Sequence, residues 1–203
     1  MKKFLLKTLL FSASIFSTSV IHANMPPEGF ERFFNYYFVE TGTFNGAGIR
    51  FAQRAKFPEI FSIELIESTY LNAKNTFKSS DNVHLFLGDS GEIIYSVIKD
   101  LNRPITFWLD GHIGDPRPGT KHTPLFEELE QIKNHHIKHH TILIDDMHCC
   151  DGILFDFHTK EEIIDKVREI NPDYEIAYVD GGDDAEYKDN IMVAYIPFSK
   201  WKK

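Results

Sequence analysis

Five short apolar segments of this chain each end at or beside an acidic residue, where an acidic side chain could bind a ligand. These residues are Glu40, Glu64, Asp89, Asp110 and Asp145. Carboxylates accept hydrogen bonds from hydroxyl and amino groups, and they also bind divalent cations. If the segments are parallel strands, their carboxyl ends meet at one edge of a sheet, which is where open α/β sheets bind ligands. The pattern therefore predicts one ligand site built from five strand ends.

A glycine-rich turn follows the first of these acidic residues. Glycines let the backbone approach a ligand closely, and the helix predicted over residues 49–56 offers N–H donors at its start. The turn is not a dinucleotide-binding fingerprint, because Phe44 and Ala47 occupy the second and third glycine positions of that motif. Glycine turns after strands also occur in α/β folds for structural reasons alone. The motif reads Glu40-x-Gly42-x-x-x-Gly46-x-Gly48.

This spacing resembles the first motif of the class I methyltransferases that depend on S-adenosyl-L-methionine (SAM), which implies SAM as the cofactor. Glu64 ends the second apolar segment, where doubly wound folds place the carboxylate that holds ribose hydroxyls; it could instead cap the following helix. Asp89 or Ser90 would face the adenine amino group, although either could be the N-cap of the next helix. The turn residues that the resemblance assigns to SAM are Glu40, Gly42, Thr43, Gly46 and Gly48.

The candidate catalytic residues are Asp110 and His112, at the end of the fourth apolar segment. Methyl transfer to a hydroxyl requires removal of the acceptor proton, and His112 could accept it, although a lone loop histidine is often only solvated. Asp110, Asp145 and Asp146 resemble the three-carboxylate magnesium site of metal-dependent O-methyltransferases that act on sugars and catechols. Oxygen ligands suit Mg2+ or Ca2+, and a bound ion would lower the pKa of the acceptor hydroxyl. Asp145 could alternatively brace the neighbouring loops.

The hydrophobic pattern predicts the elements that position these residues. Helical patterns separate the first five strands, whereas the last two strands flank a polar link over 180–189 and should pair antiparallel. The resemblance implies an α/β fold with a seven-stranded, mostly parallel sheet in the order 3-2-1-4-5-7-6, an antiparallel last strand and helices on both faces. Residues 24–32 are a polar, proline-containing lead-in, and 111–122 are predicted to be a loop over the ligand. The predicted strands are 36–39, 60–64, 83–88, 104–110, 141–146, 174–179 and 190–196.

Length and charge limit the kinds of partner. The chain has 203 residues, enough for a single methyltransferase-like domain over 24–203, and its net charge is −8. This charge disfavours binding to nucleic acid or to anionic membranes and favours a small or neutral acceptor. The resemblance implies a small-molecule or saccharide hydroxyl as the acceptor. Its two cysteines, Cys149 and Cys150, are adjacent and therefore cannot link distant segments. The sequence does not determine the oligomeric state.

Residues 1–23 have the pattern of a secretory signal peptide, with a basic start, an apolar middle and a cleavage site after Ala23. Removing this segment, with Lys2, Lys3 and Lys7, leaves 19 basic against 30 acidic residues, a net charge of about −11. The signal predicts a periplasmic or secreted protein with no membrane span after cleavage. An uncleaved membrane anchor or a cytoplasmic location are the alternatives, since SAM is made in the cytosol.

Two other functions compete with methyl transfer. The chain could be an exported, non-catalytic binding protein that kept the methyltransferase fold. It could also be a metal-dependent hydrolase that uses Asp110, His112, Asp145, Asp146 and His148. The four histidines at 135, 136, 139 and 140 include a pair four residues apart, but no nearby acid completes a zinc motif, and histidine is common at helix ends.

Overall fold

The computed structural model of this protein describes residues 27–112, 121–181, 188–197 and 200. The predicted signal peptide at 1–23 lies outside these residues, as does most of the predicted loop at 111–122. None of the helices in the described part of the chain has both the length and the apolar character needed to cross a membrane.

The fold is an α/β sheet of seven strands in the order β3-β2-β1-β4-β5-β7-β6. Strands β1 to β5 pair in parallel, and β7 runs antiparallel to both of its neighbours, β5 and β6. This confirms the predicted order and orientation. The strands are β1 (Tyr37–Thr41), β2 (Glu59–Glu64), β3 (Val83–Leu87), β4 (Ile105–Leu109), β5 (Thr141–Ile144), β6 (Glu175–Val179) and β7 (Ile191–Tyr195).

Helices cover both faces of the sheet. Successive strand residues point to opposite faces, so Phe107 of β4 packs in one apolar cluster and Trp108 in the other. The first cluster lies under α4, α5 and α6, and the second under α1, α2 and α3. Burial on both faces explains why the central strands are almost continuously apolar. The helices are α1 (Pro27–Arg32), α2 (Ala47–Arg54), α3 (Glu67–Thr76), α4 (Ser90–Ile98), α5 (Leu125–Lys133) and α6 (Lys160–Ile170).

The N-terminal lead-in contains a helix that the hydrophobic pattern did not predict. Residues 27–32 form the short helix α1. Phe30 of this helix is completely buried, and its ring packs edge-on against Phe38 and Trp108 with centroids 5.2 Å away in both cases. Aromatic burial therefore outweighs the polar composition of the segment, because one large buried ring contributes about 2 kcal/mol or more.

Two of the four clustered histidines form a buried hydrogen-bonded relay. The Ile105 N–H donates to Nδ1 of His140 at 3.1 Å, which leaves Nε2 of His140 to donate to Nδ1 of His135, also at 3.1 Å. Nε2 of His135 then donates to the carbonyls of Ile98 and Leu101 at 3.0 and 3.1 Å. This chain of donors and acceptors requires both rings to be neutral. Their role is therefore to join α4, α5, β4 and β5.

Because the two buried histidines are neutral, we expect the protein to lose stability in acid. Burial lowers the pKa of His140 to about 3, whereas an unfolded histidine titrates near 6.5. His140 therefore contributes stability above about pH 6.5 that is lost as the pH falls toward 3, with a slope of up to about 1.4 kcal/mol per pH unit. We expect His140→Gln to be less stable at pH 7 by about 1–3 kcal/mol, because Ile105 N–H loses its acceptor, but to lose less stability on acidification.

Urea unfolding followed by circular dichroism between pH 7 and 4 measures this difference. His84→Gln is the matched control, because His84 lies in β3 and pairs with Glu59 rather than with the relay, and its pH profile should follow that of the wild type. Parallel pH profiles for wild type and His140→Gln would contradict the assignment.

Candidate cofactor and active site

A cavity of about 560 Å³ opens at the carboxyl edge of the parallel strands. Its volume lies within the range of sites that bind small organic ligands. Asp110 and His112, the predicted catalytic residues, also line this cavity. Seven of the eight residues predicted to bind the cofactor line it, namely Glu40, Gly42, Thr43, Gly48, Glu64, Asp89 and Ser90.

The glycine turn brings the backbone close to its neighbours. Gly42 has a φ of +81°, and a Cβ on it would lie 2.3 Å from the backbone oxygen of Asp110. At Gly48 a Cβ would lie 1.8 Å from the Glu40 carboxylate. Gly46 does not line the cavity; it begins α2 with a φ of +77° beside the ring of Phe77. Gly42 and Gly48 thus shape the cavity floor, whereas Gly46 shapes the turn itself.

Glu40 is part of a buried network beneath the cavity. The Ser62 hydroxyl donates to the Glu40 carboxylate at 2.6 Å, and it lies 2.6 Å from the Thr43 hydroxyl. Burial raises the pKa of Glu40 to about 8, despite the opposing hydrogen bond from Ser62. Burial therefore favours the protonated form of Glu40 more than it would for an exposed glutamate. Sequence reasoning missed Ser62, for which the signal was a polar residue inside an apolar strand, opposite Glu40 in the register.

Glu64 is held at the cavity wall by two backbone donors. One carboxylate oxygen accepts the Phe44 N–H at 2.9 Å, and the other accepts the Ile66 N–H at 2.8 Å. Ile66 is the residue immediately before α3, so Glu64 caps the helix start as well as lining the cavity. Each carboxylate oxygen can accept a second hydrogen bond. The ribose role and the capping role are therefore compatible.

The strand end after β3 carries a helix cap and a buried polar pair. Asp89 accepts the Gly91 N–H at 2.9 Å and is the N-cap of α4. The Ser90 hydroxyl donates to the buried carboxylate of Glu128 at 2.5 Å. Burial raises the pKa of Glu128 to about 7, against the hydrogen bond from Ser90. Sequence reasoning missed this role of Glu128, although Glu128 shares the buried face of α5 with Leu125, Leu129 and Ile132.

Beyond β4 and β5, His112 lies between two carboxylates. Its Nε2 is 2.9 Å from Asp146 and its Nδ1 is 3.4 Å from Asp110. Burial by itself lowers the pKa of His112, but the hydrogen bond to Asp146 and the two nearby negative charges outweigh it and raise the pKa. Burial raises the pKa of Asp110 to about 7, with His112 opposing the shift. The three side chains form a compact Asp–His–Asp group at one side of the cavity.

The structure does not bring the predicted ligand Asp145 into this group. Among the described residues, ligand atoms of Asp110, His112 and Asp146 all lie within 4.8 Å of one another. Asp145 is buried instead, and one of its oxygens accepts the Asp146 N–H at 2.8 Å and the Asn190 amide at 3.3 Å. The chain turns at Asp146, which has a φ of +54°, and the Asn190 amide lies 3.3 Å from an oxygen of each of these two successive carboxylates.

The described end of the predicted loop at 111–122 is anchored by a residue that sequence reasoning missed. Asp156 accepts hydrogen bonds from the backbone N–H groups of His122 and Thr123, at 3.0 and 3.2 Å, and contacts the His122 ring at 2.8 Å. His122 and Thr123 both line the cavity. Asp156 thus fixes one wall of the cavity from a separate segment, and no local pattern indicated it.

Neither a protein-family model nor a curated protein matches this chain. Solved structures do match its fold. The methyltransferase PaMTH1 of Podospora anserina, in a SAH-bound structure, has a TM-score of 0.54 at 11% identity, over 84% of this chain and 75% of that one. The O-methyltransferase TomG of Streptomyces achromogenes, in complex with SAM, has a TM-score of 0.55 at 15% identity, over 84% and 77% of the two chains. An rRNA methylase of Streptococcus thermophilus has a TM-score of 0.54 at 12% identity, over 84% and 93%. Together with the strand order, these similarities establish that the chain has the class I SAM-dependent methyltransferase fold.

Proposed function

We propose that this protein is a SAM-dependent methyltransferase that methylates a hydroxyl oxygen of a small-molecule or saccharide acceptor. The observation that carries the proposal is the convergence of seven residues of the predicted cofactor motif on one cavity. Chance would not be expected to bring side chains from three strand ends and a glycine turn together at the edge where this fold class binds ligands.

Several residues that line the cavity support SAM as its ligand. Glu64, already held by two backbone donors, would accept the ribose hydroxyls, and Asp89 would accept from the adenine amino group. Three apolar side chains, Phe44, Leu65 and Ile66, line the cavity while remaining more than half exposed. Exposed apolar groups at a cavity mouth suit the faces of a flat ring. Gly42 would admit the ligand against its backbone.

Three side chains near Gly42 support a role for this end of the cavity in removing the acceptor proton. SAM supplies an electrophilic methyl group on a positively charged sulfonium. Asp110, His112 and Asp146 lie together beside the turn at Gly42. This group would bind the acceptor hydroxyl and either accept its proton or lower its pKa. Their acidic character also suits a cationic cofactor.

SAM binding tests the cofactor assignment. We expect wild-type protein to bind SAM in isothermal titration calorimetry, and Glu64→Gln to bind it at least about tenfold more weakly, because one ribose acceptor and its charge are lost. Glu67→Gln is the matched control, since Glu67 is an exposed glutamate in the first turn of α3 that does not line the cavity. Equal affinities for all three proteins would defeat the ribose assignment. A folded wild-type protein that binds no SAM would favour the non-catalytic alternative.

A change at His112 tests the acceptor side separately. We expect His112→Gln to bind SAM with an affinity within about threefold of the wild type. The rate of methyl transfer should fall by about 10²–10⁴-fold, which is typical of losing a general acid or base. Release of S-adenosylhomocysteine in the presence of a panel of catechol and saccharide acceptors measures the transfer. An unchanged rate with an accepted substrate would remove His112 from the chemistry.

The compartment belongs to the same proposal. We propose that the N-terminal segment directs export and is cleaved after Ala23. Intact mass measurement of the protein purified from cells should give a chain that begins at Asn24. A chain that retains Met1 would instead favour an anchored or cytoplasmic protein.

A further inference from the structure

The metal ligands expected from the sequence differ from the residues that lie together in the structure. The family resemblance implies three oxygen ligands, from Asp110, Asp145 and Asp146. In the structure, Asp145 is not part of the compact group, and one of its oxygens accepts two hydrogen bonds, from the Asp146 N–H and the Asn190 amide. His112 takes its place beside the other two carboxylates, with ligand atoms of all three groups within 4.8 Å of one another.

We propose that Asp110, His112 and Asp146 bind one divalent ion of the first transition row, from Mn2+ to Zn2+. Asp145 is not a ligand in this proposal; it orients Asp146 through a hydrogen bond. The binding of the ion is independent of methyl transfer, whereas its use in activating an acceptor hydroxyl rests on the proposed function. The proposal changes both the ligand set and the class of metal that the sequence predicts.

The ligand set determines the class of ion. Mg2+ prefers oxygen ligands in near-ideal octahedral geometry, whereas imidazole nitrogen suits first-row transition ions. Ligand atoms about 2.0–2.2 Å from one ion lie up to about 4.4 Å from each other, so the observed spacing requires only a small movement of the side chains. One nitrogen and two carboxylate oxygens also leave coordination positions for other ligands.

The group has access to the cavity. The side chains of His112, Asp110 and Asp146 are 14%, 27% and 21% exposed, and the first two line the cavity. An ion held there would therefore face the same space as the bound cofactor and acceptor. Such an ion would lower the pKa of an acceptor hydroxyl that coordinates it.

Residues around the group hold its carboxylates in place. The buried amide of Asn190 donates to Asp146 and to Asp145, at 3.3 Å in both cases. Asp145 in turn accepts the Asp146 N–H, which stabilises the left-handed backbone at Asp146. Hydrogen bonds of this kind orient metal ligands, and their loss commonly weakens binding by about 10–100-fold without removing a ligand. This is the role that we assign to Asp145.

The test uses the mature, metal-free protein without SAM. Mn2+, Co2+, Zn2+ and Mg2+ are titrated separately by calorimetry. We expect one equivalent of each transition ion to bind, at least about tenfold more tightly than Mg2+. Pulsed electron paramagnetic resonance of bound Mn2+ should detect modulation from a directly coordinated imidazole nitrogen. This measurement needs no variant, so it tests the proposal even if a substitution unfolds the protein.

Variants separate the two ligand sets. His112→Ala should abolish the nitrogen modulation and lower Mn2+ affinity by about 10²-fold or more, whereas Asp145→Asn should keep the modulation despite weaker binding. His84→Gln is the control, because this histidine pairs with Glu59 at the end of the sheet. Equal affinity for Mg2+ and Mn2+, absence of nitrogen modulation, or loss of all binding in Asp145→Asn with full binding in His112→Ala would overturn the proposal.

The outcomes also distinguish this inference from the proposed function. Protein that binds SAM but no transition ion would overturn the metal site and leave the methyltransferase proposal intact. Protein that binds the ion through His112 but no SAM would support the metal site and count against the methyltransferase.

Discussion

The site depends on the parallel pairing of β1 with both of its neighbours, β2 and β4. In this register Thr41 lies opposite Ile63 and Leu109, so the chain leaves all three strands at the same level. The Gly42 N–H consequently donates to the Ile63 carbonyl at 2.9 Å, and the Asp110 N–H donates to the Thr41 hydroxyl at 3.2 Å. A side chain at Gly42 would collide with the backbone at Asp110. The glycine is therefore required for the strand pairing as well as for room at the cavity.

This arrangement concentrates acidic groups where water is scarce. Burial raises the pKa of Glu40 to about 8, and those of Glu128 and Asp110 to about 7. Uncompensated buried carboxylates are costly, and here protonation and hydrogen bonds from Ser62 and Ser90 reduce that cost. A cationic ligand would reduce it further. The electrostatics of the fold thus favour positive charge in the cavity, in keeping with a sulfonium cofactor and with a metal ion beside it.

The opposite end of the sheet is built for stability. There, His135 and His140 satisfy backbone groups at the C-terminal end of α4 and at the start of β4. The cavity edge carries the carboxylates at the strand ends, whereas at the other edge the rings of His135 and His140 are hydrogen-bonded to each other and to backbone groups.

Apolar runs are local signals, so the sequence by itself determined the seven strands. The strand order, and seven of the eight residues predicted around the cavity, came from the family resemblance that the glycine spacing and the strand-end acids carry. Some local signals were outweighed by long-range packing, as at Phe30, whose burial makes a helix of a polar segment. Only the tertiary structure decided which carboxylates face one another. Glu128 meets Ser90, and His112 rather than Asp145 joins Asp110 and Asp146, because strand register, the turn at Asp146 and contacts with Asn190 set side-chain directions over distances that no local pattern encodes.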